Sequence, residues 1–123
     1  MPYTLEFEIE DLPKTTNSFK RQHWTHKWKE AQKWKALVLI HTQGKIPSYP
    51  LKRAKLTLTR CSSSPPDSDG LVSSFKHVID GLTNADILFD DAFTVIRMPE
   101  YKWEKAPPKK GKIKVSVVEL ELE

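Results

Sequence analysis

The chain has few of the residues that would cross-link it or carry it into a membrane. Its 123 residues include one cysteine, Cys61, which excludes an intrachain disulfide and a cysteine-based zinc site. The longest unbroken apolar run, residues 36–40, is far too short to cross a bilayer. The N-terminal residues lack the basic and then apolar pattern of a signal peptide. We therefore expect a soluble, cytoplasmic protein that folds as one domain over residues 1–123.

Charge is unevenly distributed along the chain. Residues 12–63 carry twelve Lys and Arg and one acid, a net charge of +11, whereas residues 64–91 carry six Asp and one Lys, a net charge of −5. A strongly basic half favours a polyanionic partner, because each cation placed against a phosphate releases counterions. An acidic block beside it is typical of nucleases in which divalent cations separate carboxylates from phosphate. The alternative is that both blocks are ordinary solvated surfaces.

Hydrophobic periodicity predicts an α+β fold in the order β-α-β-α-β-β, a small mixed sheet packed with two main helices. The predicted strands cover residues 4–10, 54–61, 93–103 and 113–122, and the predicted helices cover residues 24–42 and 70–83. We expect Trp28, Trp34 and Val38 to form the buried stripe of the first helix. Asp69 is the expected N-cap of the second. Cys61, at the end of a strand, is expected to be a small buried apolar group.

Four aspartates form the most informative pattern in the chain. Asp67 and Asp69 lie at a predicted strand-to-helix junction, where residues i and i+2 point to the same side. Asp90 and Asp91 lie beyond that helix, just before the next predicted strand. If the two strands are neighbours, the two pairs meet and form an oxygen-only site suited to Mg²⁺ or Mn²⁺. Taken alone, each pair is more typical of a turn or a helix cap.

Residues 67–96, DSDGLVSSFKHVIDGLTNADILFDDAFTVI, resemble the RusA family of Holliday-junction resolvases of bacteria, prophages and phages. The family pattern is D-x-D-N-L, a helix with K-x-x-x-D-[GA]-L, a short link and L-x-D-D before a strand. Residues 12–24, LPKTTNSFKRQHW, are similar to the basic loop after the family's first strand. Gly70 stands where the pattern usually has Asn. The spacing from Asp69 to Lys76 is longer than in the best-known member by about one helical turn.

The resemblance implies a RusA-like fold and a homodimeric, metal-dependent endonuclease that resolves Holliday junctions or related branched DNA by paired nicks in recombination and repair. It assigns Mg²⁺ or Mn²⁺ to Asp67, Asp69 and Asp91, with Asp90 as the companion of Asp91. Those three aspartates and Lys76 would be catalytic, with Lys76 stabilising phosphate charge or positioning the attacking water. No membrane and no small-molecule cofactor are expected. The residues expected to contact DNA are Lys14, Asn17, Lys20, Arg21, His23, Lys27 and Lys29.

Several interpretations stay open at this point. Lys76 is as well placed for a surface ion pair with Asp80, four residues on, as for contact with phosphate. The lysine-rich segment 105–112 is equally a DNA-gripping arm or a solubilising turn. A non-catalytic, degenerate junction-binding or nucleic-acid-binding module explains the basic half as well as a nuclease does, but gives the four aspartates no role. A nuclease acting on other branched or flapped DNA, or on RNA, is a third possibility.

Overall fold

The computed structural model describes residues 2–14 and 24–121, with only the backbone described for residues 24–27. The strands are β1 (Thr4–Ile9), β2 (Ala54–Ser62), β3 (Glu100–Lys105) and β4 (Lys112–Glu119). The helices are α1 (Trp24–Thr42), α2 (Ser68–Ser74), α3 (Lys76–Asn84) and α4 (Phe93–Ile96). Within these described ranges, no helix combines the length and the apolar character needed to cross a membrane.

The four strands form one mixed sheet in the order β1-β4-β2-β3. β4 pairs antiparallel with β1 on one side and with β2 on the other, and β2 pairs parallel with β3. A parallel neighbour needs a crossover connection, and helices α2, α3 and α4 supply it between β2 and β3. The predicted α+β class with a mixed sheet is therefore confirmed.

One face of the sheet is apolar and carries the core. Along β1, the side chains of Leu5, Phe7 and Ile9 are buried and alternate with exposed neighbours. Helices α1 and α3 belong to the same buried cluster through Trp34, Val38, Val78 and Leu82. At Gly81 the two helices approach so closely that an added Cβ would lie 3.0 Å from Cγ2 of Val38. Burial of this face provides the main driving force for folding.

Helix α1 has the predicted bounds but not the predicted buried stripe. Trp34 and Val38 are fully buried, as expected, whereas Trp28 is 59% exposed, so its assignment to the core was wrong. Each residue advances about 100° around a helix, so two side chains six residues apart point in directions that differ by about 120°. Trp28 lies six residues before Trp34 and therefore points away from the face that Trp34 and Val38 share.

The second predicted helix is two helices joined at a break. Phe75 has a φ of −92° and a ψ of 1°, and its side chain is fully buried beside Tyr101, with ring centroids 6.1 Å apart. The first of the two helices begins at Ser68 with Asp67 as its N-cap, so the expectation that Asp69 caps the helix was wrong. Asp69 lies in the first turn instead. An aspartate at either position complements the amides of that turn, so sequence alone did not distinguish them.

The predicted strand over residues 93–103 is wrong in its first half. Residues 93–96 form the short helix α4, and β3 begins only at Glu100. The neighbours Val95 and Ile96 are both buried. Adjacent side chains of a strand point to opposite faces, whereas one helical turn can direct both towards the core. Tertiary burial therefore overrides the strand propensity of this β-branched stretch.

The break residue gives a direct test of the packing. Phe75→Ala should lower the free energy of unfolding by about 3 to 5 kcal/mol, because it leaves a cavity at a fully buried site. Phe93→Ala is the matched control, since Phe93 is 61% exposed and should change stability by less than about 0.5 kcal/mol. Urea denaturation of both variants measures the difference. Equal losses would contradict the packing described above.

Candidate functional site

The acidic turn is built by a helix cap. Asp67 is extended, and its Oδ1 accepts a hydrogen bond of 2.7 Å from the backbone N–H of Gly70. Its backbone carbonyl accepts a second hydrogen bond from Leu71, at 2.9 Å. Asp67 and Asp69 are both exposed, whereas Gly70 is buried. One oxygen of Asp67 is therefore occupied by the protein itself, and the Asp69 carboxylate is open to solvent.

Lys76 connects the second acidic pair to the helix that follows this turn. Its Nζ lies 3.2 Å from Oδ1 of Asp80 and 3.6 Å from Oδ2 of Asp91. The hydrogen bond to Asp80 raises the pKa of Lys76, and the negative charges of Asp80 and Asp91 act in the same direction. The surface pairing with Asp80 weighed above is thus present. The same ammonium also holds Asp91, which sequence spacing did not indicate.

Asp90 and Asp91 lie on a loop that is fixed by backbone hydrogen bonds. Leu51 and Leu88 form an isolated parallel bridge, in which the Phe89 N–H donates to the Leu51 carbonyl at 2.9 Å. Just beyond it, Oδ1 of Asp90 accepts from the N–H of Asp91 at 2.7 Å. The loop therefore presents both carboxylates at the surface.

Neighbouring strand ends are not what would bring the two acidic pairs together. β2 and β3 are parallel neighbours, so the end of β2 lies beside the end of β3, with Ser62 opposite Lys105. The start of β3 lies opposite the middle of β2, and helix α4 separates it from Asp91. Among the residues that the structure describes, no three His, Cys, Asp or Glu side chains are grouped so that they could hold a metal ion. The assignment of Asp67, Asp69, Asp90 and Asp91 as metal ligands stays a prediction.

The beginning of the basic segment is tied to helix α1 by an ion pair. Glu30, the one acid in residues 12–63, accepts a hydrogen bond from Nε1 of Trp34 at 3.2 Å and pairs with Nζ of Lys14 at 3.7 Å. Burial lowers the pKa of His77, while the charges of Asp80 and Glu30 oppose that effect. Glu30 therefore pairs with Lys14 and also lies near enough to His77, in the first turn of α3, to act on its pKa.

The predicted DNA-contacting residues are only partly within the described structure. Lys14 is described above, and Lys29 is exposed on the first turns of α1. Lys27 lies in the same helix, but its side chain is outside the described residues. The remaining predicted contacts, Asn17, Lys20, Arg21 and His23, also lie outside them.

A lysine-rich loop leaves the sheet beside the segment that leads to Asp67. The Ala106 N–H donates to the Ser62 carbonyl at 2.9 Å, which joins the end of β3 to the end of β2. Lys105, Lys109 and Lys110 line a cavity of about 680 Å³ there. Cys61 also lines it, and burial raises the pKa of its thiol. Cys61 is buried, as predicted.

Sequence reasoning missed one exposed aromatic residue, which lies beside the second acidic pair. Phe89 is 64% exposed and immediately precedes Asp90. The sequence did contain a signal for it. A large apolar residue stands next to two acids, between the predicted helix over residues 70–83 and the predicted strand over residues 93–103. Sequence spacing assigned Leu88 and Phe89 alike to a short link.

No protein-family model matches the chain, and no curated protein matches it either.

Two substitutions at Asp67 separate its role as a helix cap from the role of its charge. Asp67→Ala should lower the free energy of unfolding by about 1 kcal/mol, because the Gly70 N–H loses its acceptor. Asp67→Asn keeps an acceptor oxygen and should leave stability nearly unchanged while removing the charge. Urea denaturation of the two variants tests this. A loss for Asn as large as for Ala would show that charge, and not the cap, stabilises the turn.

The pKa of His77 predicts a pH dependence of stability. Burial lowers the pKa of His77 in the folded state. In the unfolded chain the imidazole has its ordinary pKa of about 6.5, so it takes up a proton at a higher pH than in the folded protein. The free energy of unfolding should therefore decrease as the pH falls from about 7.5 towards the folded pKa. His77→Gln should show a shallower decrease in urea denaturation across the same pH range. Parallel curves for the two proteins would contradict the assignment.

Proposed function

We propose that this protein is a metal-dependent, structure-selective DNA endonuclease of the RusA type, which resolves Holliday junctions or related branched DNA by paired nicks. The observation that carries the proposal is the contact between Lys76 and Asp91, 3.6 Å from Nζ to Oδ2. It joins the two halves of the motif that residues 67–96 share with the family: the helix after D-x-D and the loop bearing D-D. A charged lysine held between carboxylates is an arrangement that phosphoryl chemistry uses.

Asp67, Asp69 and Asp91, with Asp90, would hold the divalent cation. Their carboxylate oxygens suit a hard ion such as Mg²⁺ or Mn²⁺, and all four aspartates are exposed to solvent. When bound, such an ion neutralises phosphate charge and lowers the pKa of water. Asp67 contributes through one oxygen, because the other caps helix α2. Lys76, which is protonated at neutral pH, balances the charge of Asp91 and offers a cation to the phosphodiester.

Two basic segments of the chain would bind the DNA backbone. The first begins at Lys14 and continues to Lys29 at the start of α1. The second is the loop with Lys105, Lys109 and Lys110, which leaves the sheet beside the segment leading to Asp67. Contacts of this kind recognise shape and phosphate positions more than base sequence. Two symmetric nicks need two sites at a fixed separation, which a two-fold homodimer would supply.

A non-catalytic nucleic-acid-binding module is the second candidate. The observation that favours it is the lack, within the described part of the chain, of three grouped ligand side chains. Such a module would use the basic regions alone, and its affinity would fall with salt but not depend on metal.

Cleavage of a labelled synthetic four-way junction tests the proposal. We expect paired, symmetric nicks with Mg²⁺ or Mn²⁺, none with EDTA, and none in a linear duplex. Asp69→Asn should reduce the rate at least about a hundredfold, because it removes a charge that would face the metal. Asp86→Asn is the matched control, since Asp86 is exposed and has a φ of 62°, which Asn tolerates.

The same assay separates the two candidates. Nicks that disappear in Asp69→Asn but persist in Asp86→Asn would support the nuclease and place its chemistry at the acidic turn. Tight, salt-sensitive binding with no nicks under any metal would overturn the nuclease and favour the binding module. Equal cleavage by the wild type, Asp69→Asn and Asp86→Asn would show that Asp69 takes no part in the reaction.

A further inference from the structure

An apolar cleft lies near the start of β2, and the acidic turn follows the other end of that strand. It encloses about 460 Å³ and is lined by Tyr49, Pro50, Lys52, Arg53, Phe89 and Glu119, with Leu120 at its edge. Its two aromatic side chains are largely exposed, 55% for Tyr49 and 64% for Phe89. Exposed aromatic rings beside cations in a concave surface mark a binding site more often than a structural feature.

The backbone that carries Phe89 is held by hydrogen bonds to the segment at Leu51. The Leu51 N–H donates to the Ile87 carbonyl and the Phe89 N–H donates to the Leu51 carbonyl, both at 2.9 Å. Leu51 and Leu88 are almost fully buried. Phe89 follows two buried residues, Ile87 and Leu88, and its own side chain is exposed. Phe89 is therefore presented at the surface by a rigid support.

Tyr49 is fixed by a separate contact. Its hydroxyl donates to Oε2 of Glu119 at 3.0 Å, and Oε1 of the same carboxylate accepts from the Tyr3 N–H at 3.0 Å. Both oxygens of Glu119 are thus engaged by the protein. With Lys52 and Arg53 on the same lining, the cleft carries a net charge of +1.

We propose that this cleft binds an unstacked nucleobase, with Tyr49 and Phe89 against the base and Lys52 and Arg53 on its flanking phosphates. Flat apolar walls with adjacent cations are what a single-stranded nucleotide requires, because the base stacks on aromatic rings and the backbone needs positive charge. The inference rests on the proposed function in one respect, which is that the partner is a nucleic acid.

The position of Phe89 connects the cleft to the candidate chemistry. Phe89 is two residues before Asp91, so their Cα atoms lie within about 7 Å of one another. A base held at Phe89 would place a neighbouring phosphate close to Asp91. Bases at a branch point unstack at lower cost than those in an intact duplex, where extrusion costs a few kcal/mol. The cleft therefore provides a physical reason for preferring branched over linear DNA.

Fluorescence of 2-aminopurine tests the cleft without any cleavage. The probe is a single-stranded oligonucleotide carrying one 2-aminopurine, titrated in EDTA at fixed salt. The wild-type protein should alter its fluorescence on binding, and Phe89→Ala should weaken binding about ten- to hundredfold. Phe89→Trp should restore most of the affinity, because the larger ring still stacks. Phe93→Ala is the matched control, an equally exposed phenylalanine outside the cleft lining, and should change affinity less than about twofold.

The outcomes separate this inference from the proposed function. Unchanged binding and fluorescence in Phe89→Ala would overturn the cleft, even if the wild-type protein nicks junctions. A large loss in Phe89→Ala that Phe89→Trp restores would support it, even if no junction is nicked under any metal. An equal loss in Phe93→Ala would also overturn it, since the effect would then belong to the surrounding surface.

Discussion

Strand β2 forms backbone hydrogen bonds along both of its edges, and the rest of the structure depends on that pairing. It pairs antiparallel with β4 from Ala54 to Cys61 and parallel with β3 from Thr57 to Ser62. Its side chains Leu56 and Leu58 are fully buried on the core face. A slip of one residue in either register would turn these side chains to the opposite face. The burial of Leu56 and Leu58 therefore fixes the register of β2 against both of its neighbours.

The two ends of β2 therefore determine where the surface features lie. Before the strand, Leu51 pairs with Leu88 and fixes the loop that carries Phe89, Asp90 and Asp91. After it, the chain continues through residues 63–66 to the cap at Asp67. The crossover helices connect these two ends. Lys76, at the start of the second crossover helix, is within ion-pairing distance of Asp91 because the break at Phe75 begins a new helix there.

Sequence periodicity predicted β1 because that strand has a strong pattern of its own. The alternation of Leu5, Phe7 and Ile9 needs no knowledge of the partner strand. The split at Phe75 and the helix at residues 93–96 depend on burial against distant residues, which no local pattern records. Phe75 packs beside Tyr101, twenty-six residues further along the chain.

The candidate site was likewise predictable from the sequence only where its contacts are local. The pairing of Lys76 with Asp80 follows from helical spacing alone, and the structure contains it. The pairing of Lys76 with Asp91 depends on how the loop is tied to Leu51, so it was not predictable from spacing. The cap assignment failed by two residues, because Asp67 and Asp69 are chemically alike and only the backbone conformation distinguishes them.

The open face of the sheet carries opposite charges in pairs. Lys112 lies 2.7 Å from Glu8, Lys114 lies 3.1 Å from Glu104, and the register places all four side chains on that face. Such exposed pairs add little stability, about 0 to 1 kcal/mol each, but they reduce the positive potential of the face. A polyanion gains less from approaching a surface whose cations are already balanced.

Two further groups of cations lie near the two ends of β2. Lys52 and Arg53 lie at its start, beside the aromatic cleft, and the lysines of the 105–110 loop lie at its end. These are also the ends to which the two acidic pairs are attached. Under the proposed function, a nucleic-acid strand would approach the carboxylates from these two ends of β2 and not across the open face of the sheet. On that proposal, the strand that organises the core would also determine the direction of approach.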